Sequence, residues 1–173
     1  MKRTIAILGA VVAILFSGAF ADEPKADLST AVQLRAAGLN QAKKEGKQVF
    51  LIFGSQGCGW CKVFDKYHAD PDVARVLGQY FVFAKVSIDE NAGGEEMYNE
   101  YGKPRGVPAF SILDADRKVL ADSGDAGKNI GFPYEPHEIE HYFTALKTAC
   151  PSMSERDVEL LKEKLNEVRP KKN

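Results

Sequence analysis

Five consecutive apolar residues, Val49-Phe50-Leu51-Ile52-Phe53, lead through Gly54-Ser55-Gln56-Gly57 into the pair Cys58-x-x-Cys61. No other stretch of the chain constrains its fold as much. A short apolar run without polar alternation marks a strand covered on both faces. The residues from Gly59 to His68 then suit a helix. If Cys58 opens that helix, the two cysteines stand one turn apart on one face. Their Cβ atoms are then roughly 5–6 Å apart, within reach of a disulfide after small adjustment. The two sulfurs are unequal in such a frame. Cys58 lies where unpaired N–H groups and the helix dipole favour a thiolate, whereas Cys61 is expected to be more buried and less acidic. An ionised attacker with a second thiol in reach is what thiol–disulfide exchange requires.

The first residues carry a different message. Lys2 and Arg3 precede an almost wholly apolar stretch from Ile5 to Phe16, and Ala19-Phe20-Ala21 follows. This is the pattern of a secretory signal peptide cleaved before Asp22. The apolar stretch falls short of the ~20 residues a membrane span needs, so no span is expected after cleavage. The expected organisation is a signal peptide over 1–21, a main domain over 22–150 and a C-terminal helical extension over 151–173. A periplasmic or extracellular protein meets oxidising conditions, in which Cys58 and Cys61 rest as a disulfide unless something reduces them. Cys150 is the odd third cysteine. It reads as a buried small hydrophobe, the alternatives being an intermolecular disulfide or a regulatory thiol.

The 173 residues, 45% hydrophobic and 27% charged, have the composition of one globular domain. The formal net charge of −1 gives no footprint for nucleic acid, and no basic run is long enough to hold an anionic membrane. Along the chain, the spacing predicts a helix from Leu28 to Glu45 ended by Gly46, then the strand Val49–Phe53 and the helix Gly59–His68. Asp70-Pro71 breaks that helix, and helical spacing resumes from Asp72 to Gly78. A second apolar strand is expected from Phe81 to Ile88, and a short helix from Gly93 to Tyr101. Ala109–Leu113 and Lys118–Leu120 are expected to pair across a turn of short polar residues. A loop from Gly124 to Tyr134 leads to helices at Pro136–Thr148 and Glu155–Val168, the last capped by Ser154. Strands alternating with helices in this order give an α/β protein, with a mixed sheet and helices on both faces.

One motif argues for different chemistry and is set aside. His137-Glu138-Ile139-Glu140-His141 spells the H-E-x-x-H pattern of zinc hydrolases. Ile139, Tyr142, Phe143 and Leu146 define the inward stripe of that helix, which turns His137 and His141 towards solvent. No metal site and no cofactor are expected.

Taken together, these elements resemble the thioredoxin superfamily from about Lys47 to Leu146. The similarity rests on the strand, the Cys58–Cys61 pair and its helix, on Phe83-Ala84-Lys85-Val86-Ser87-Ile88-Asp89, and on Tyr101-Gly102 followed by Arg105-Gly106-Val107-Pro108. It implies a thioredoxin fold with an extra N-terminal helix and a C-terminal helix. It also implies that Cys58 is the nucleophile, that Cys61 resolves the mixed disulfide, and that Pro108 is cis with the Val107 backbone free to pair with substrate. Gly57 stands where the family usually has tryptophan, and Ile52 where it has a buried acid, leaving Lys85 without its customary carboxylate partner. Trp60 replaces a common proline, either covering the disulfide as a contact for substrates or packing on the protein itself.

The expected activity is that of a thiol–disulfide oxidoreductase of the cell envelope. It would act on protein or small-molecule disulfides and dithiols with a redox partner the sequence does not name. The alternatives are a binding module with a structural Cys58–Cys61 disulfide, or a carrier that holds metal on the two thiolates.

Overall fold

The alternation hidden inside the apolar runs divides this protein into two cores. Strand β1 (Gln48–Gly54) lies between β2 (Phe81–Ser87), parallel to it, and β3 (Ala109–Leu113), antiparallel, with β4 (Val119–Asp122) completing the order β2-β1-β3-β4. Successive side chains of a strand point to opposite faces. Phe50 and Ile52 therefore join Phe81, Phe110 and Ile112 on one side of the sheet. Val49, Leu51 and Phe53 join Val82, Ala84, Val86 and Leu113 on the other. Every residue from Val49 to Phe53 is buried, as a strand covered on both faces must be.

The helices divide in the same way. Helix α1 (Ala31–Glu45) and α4 (Gly94–Tyr101) cover the second face. Helices α2 (Gly59–Ala69), α3 (Pro71–Tyr80), α5 (Pro136–Ala149) and α6 (Glu155–Val168) cover the first. The computed structural model describes residues 30–102 and 106–170. The leader over 1–21, the lead-in to residue 29 and Arg105 lie outside the described residues.

Local chemistry explains where the helices begin and end. Thr30 Oγ1 accepts from the Gln33 N–H at 3.2 Å while Gln33 Oε1 accepts from the Thr30 N–H at 2.8 Å, a reciprocal cap. Gly46 ends α1 in the left-handed conformation. At the Asp70-Pro71 break, Asp70 Oδ1 accepts from the N–H groups of Asp72 and Val73 at 2.9 and 3.2 Å, and Pro71 occupies the first turn of α3. Ser154 caps α6 by accepting from the Asp157 N–H at 3.1 Å.

The structure departs from the sequence expectation in two places. The segment Gly124–Tyr134 is not wholly loop, because Gly124–Asp125 (β5) and Lys128–Asn129 (β6) pair antiparallel around Ala126 and Gly127, both at positive φ. Two-residue strands are too short to leave any alternation in a sequence. His141 does not face solvent. It is half-buried, and its Nε2 lies 2.9 Å from the Asp122 carbonyl of β4, because α5 packs against that strand. Helix α6 packs on the main domain: Val158, Leu161 and Leu165 are buried in the first core, and the Tyr67 hydroxyl donates to the Leu161 carbonyl at 3.2 Å. Among the described residues, no helix is long and apolar enough to cross a membrane.

Candidate active site

The site forms where β1 stops. After Gly54 the chain turns through Gly57, whose φ of +80° lies in the left-handed region. A β-carbon is strained there, which accounts for glycine where the resemblance led one to expect tryptophan. The turn is tied down by Asp89 at the end of β2. Its carboxylate accepts from the Gln56 N–H at 2.9 Å and from the Ser87 hydroxyl at 2.7 Å. The Ser87 hydroxyl in particular holds the Asp89 carboxyl below its usual range.

Cys58 is the N-cap of α2, and its Sγ accepts from the Cys61 N–H at 3.0 Å. The two cysteines form a disulfide, with S–S 2.09 Å and Cα atoms 5.2 Å apart. Cys58 is half-buried, whereas Cys61, one turn in, is 6% exposed. The difference arises because Cys61 lies beneath the end of β1, where a β-carbon placed on Gly54 would stand 3.7 Å from its sulfur.

Opposite the disulfide runs the segment Gly106-Val107-Pro108. The Val107–Pro108 peptide bond is cis, and the Val107 carbonyl oxygen is 3.6 Å from Cys58 Sγ. Two side chains clamp this segment. The Tyr98 hydroxyl of α4 accepts from the Gly106 N–H at 2.5 Å and donates to the Gly106 carbonyl at 3.1 Å. Asn129 Nδ2, from β6, donates to the carbonyls of Gly106 and Pro108 at 2.8 and 2.9 Å. Both residues meet the segment only through the tertiary fold.

Trp60 packs on the protein itself and also stays partly exposed. One face stacks on Phe132, centroids 5.6 Å apart and 13° from parallel, while the side chain stays 46% exposed beside the disulfide. Phe132 itself is buried and meets Phe64 of α2 edge-on.

Lys85 is not left alone. Ile52 is buried, as an apolar replacement for an acid should be, and Lys85 turns outward to pair with Asp65 of α2. Asp65 lies four residues after Cys61, one helical turn further along the same face. That spacing is the signal the sequence offers for the pair. The Lys85 tip and the Cys61 sulfur flank the same empty position at Gly54, 3.9 and 3.7 Å from where a β-carbon would stand. The Asp65–Lys85 pair shares a cavity of about 260 Å³ with both cysteines.

Behind the site, the His68 ring packs edge-on against Phe64 with centroids 4.3 Å apart. Its Nδ1 lies 2.9 Å from the Phe64 carbonyl and its Nε2 3.2 Å from the Tyr142 hydroxyl. Nδ1–H therefore donates to the carbonyl, and Nε2 accepts from Tyr142. Burial among these rings pushes the His68 pKa down to about 4. Cys150 lies apart from the disulfide, at the end of α5. It is buried and unpaired, and burial raises its thiol to about 11. The zincin pattern does not converge either, since His137 is exposed while His141 is held at β4.

A family model described as thioredoxin-like matches residues 30–115, from the cap of α1 through β3. The chain belongs to the thioredoxin superfamily. The match takes in α1, ahead of the residues from Lys47 onward that carry the resemblance. Anterior gradient protein 2-B of Xenopus laevis is 28% identical over 118 residues, 68% of this chain and 69% of that protein. Anterior gradient protein 3 of Xenopus tropicalis is 28% identical over 112 residues, 62% of this chain and 63% of that protein. Among solved structures, a disulphide isomerase from Xylella fastidiosa Temecula1 shares the fold, with a TM-score of 0.52 and 19% identity. The superposition covers 81% of this chain and 95% of that one.

Proposed function

We propose that the protein is a thiol–disulfide oxidoreductase of the cell envelope, with Cys58 as nucleophile and Cys61 as resolving thiol. One observation carries the reading. Half-buried Cys58 stands at a helix N-terminus, its sulfur accepts a backbone N–H, and Cys61 is buried directly behind it. The Cys58 thiolate attacks a substrate disulfide, whose S–S bond breaks as one substrate thiolate leaves and a mixed disulfide forms. Cys61, deprotonated in turn, attacks the Cys58 sulfur, closing the internal disulfide and releasing the second substrate thiol. Run forwards, the sequence reduces the substrate; run backwards, it oxidises a dithiol. Val107, whose carbonyl lies 3.6 Å from the Cys58 sulfur, forms the substrate contact with Pro108 and Trp60. The envelope location rests on the leader pattern of residues 1–21.

The test is covalent capture. Cys58→Ser should abolish turnover of a protein disulfide such as insulin. Cys61→Ser should accumulate mixed disulfides with partner proteins, visible on non-reducing gels and absent after reduction. A Cys61→Ser protein that captures nothing, with a disulfide potential below roughly −300 mV, would instead identify a static structural bridge.

A further inference from the structure

The side chain of Asn129 is committed to the segment that faces the disulfide. Its Nδ2 bridges the carbonyls of Gly106 and Pro108 at 2.8 and 2.9 Å. The carbonyl between them, that of Val107, is the one that lies 3.6 Å from Cys58 Sγ. The fit is close. A β-carbon on Gly106, whose φ is +131°, would stand 3.1 Å from Asn129 Nδ2, so the amide lies against a residue without a side chain. Asn129 Oδ1 is buried and accepts no hydrogen bond among the described residues. An unmet buried acceptor lowers stability, which sets this amide apart from a side chain that only fills space. Asn129 is itself held in place. It sits on the β5–β6 hairpin, which Ser123, 1% exposed, fastens to β3. The Ser123 carbonyl accepts from the Ile130 N–H at 2.9 Å, and its N–H donates to the Phe110 carbonyl at 3.0 Å. Its hydroxyl accepts from the Phe110 N–H at 3.1 Å. Phe110 stands on β3 two residues after Pro108, so the clamp and the segment it holds share one strand.

We propose that Asn129 is a positioning residue of the exchange reaction, fixing the Val107 backbone opposite Cys58 so that a substrate chain is aligned as its disulfide is attacked. The proposal rests on the oxidoreductase reading and adds a substrate class to it: disulfides carried on a polypeptide backbone, in preference to small ones. A chain that hydrogen-bonds to an ordered Val107 brings its sulfur to Cys58 already oriented, which raises the rate of attack. Without the Asn129 amide the bridge between Gly106 and Pro108 is gone, and Val107 between them can shift. A small disulfide has no backbone to place and gains nothing from that order.

The experiment measures the capture step alone, in the full chain carrying Cys61→Ser, by intact mass. The Cys58 thiolate attacks, the substrate S–S bond breaks, a mixed disulfide forms and one substrate thiolate leaves. Two substrates are compared: the symmetric disulfide of a capped alanine pentapeptide with cysteine at its centre, and hydroxyethyl disulfide. The readout is the ratio of their second-order rate constants, which loss of the fold would not move, because it slows both together. Adding Asn129→Ala should lower the peptide-to-hydroxyethyl ratio roughly tenfold, the effect of losing one or two backbone hydrogen bonds to the substrate. Asn129→Asp keeps the shape and removes both donors, so it should lower the ratio as well, and it serves where the alanine variant is too unstable to assay. A ratio equal to that of the parent in either folded variant would overturn the role of Asn129. Capture of neither substrate by the parent would instead remove the exchange reading itself.

Discussion

On one side of the Cys58–Cys61 disulfide stand Gly54, Asp65 and Lys85; on the other stand Trp60, Phe132 and the Val107–Pro108 bond. The first flank is made where a central strand ends and its neighbouring helix begins. Its polar groups sit at regular spacings, Asp65 one turn after Cys61 and Lys85 beside Ile52 in the β1–β2 register. The second flank is assembled from a hairpin, a loop and a helix start that are distant in sequence, held by the Asn129 clamp and the Trp60–Phe132 stack. The difference teaches a division of labour. The groups beside Cys61 come with the sheet, whereas the flank proposed to meet a substrate depends on the segment from Gly124 to Tyr134.

The sharpest way to break the comparison is to remove the anchor of the second flank. Phe132→Ala should destabilise the protein by about 3 kcal/mol, as expected for losing a buried aromatic side chain. Urea unfolding would measure this, and a loss below about 1 kcal/mol would show that the flank is not anchored through Phe132.

A smaller effect comes from the floor beneath both flanks. His68 has a pKa of about 4 in the folded protein and an ordinary value of 6.5 when released. Between those values the unfolded chain binds a proton that the folded one refuses, so stability should fall as pH drops from 6.5 towards 4. Protonation would also turn Nε2 from an acceptor for Tyr142 into a donor. The stability is fully present above pH 6.5, and the part lost between pH 7 and pH 5 is about 2 kcal/mol. Unfolding curves at pH 7 and pH 5 should show it, and His68→Gln should flatten the difference.

The mildest change tests the first flank. Asp65→Asn removes the carboxylate that pairs with Lys85 beside Cys61. Release of the mixed disulfide should slow roughly tenfold, within the lower range of general acid–base effects, while the initial capture by Cys58 keeps its rate. Stopped-flow measurement of the two steps would separate them. Equal slowing of both would mean that Asp65 acts on the fold or on Cys58 rather than on Cys61.

Much of this molecule was legible in its residues. The boundaries of α2, α3 and α6 followed from Cys58, Asp70-Pro71 and Ser154, because a helix end leaves N–H groups that such side chains satisfy. The pairing of β5 with β6 and the inward turn of His141 were not legible. Both arise from contacts across distant segments, to which local periodicity is blind.

By itself the sequence determined the order of strands and helices, the strand buried on both faces, and the inequality of Cys58 and Cys61. Each follows from side-chain spacing within a few residues. Only the tertiary structure decided that Asp65 joins Lys85, that Trp60 lies on Phe132, and that Asn129 and Tyr98 hold the segment facing the sulfur. Those pairings depend on how closely separate elements approach when the two cores close, and that distance is set by packing rather than by the order of residues along the chain.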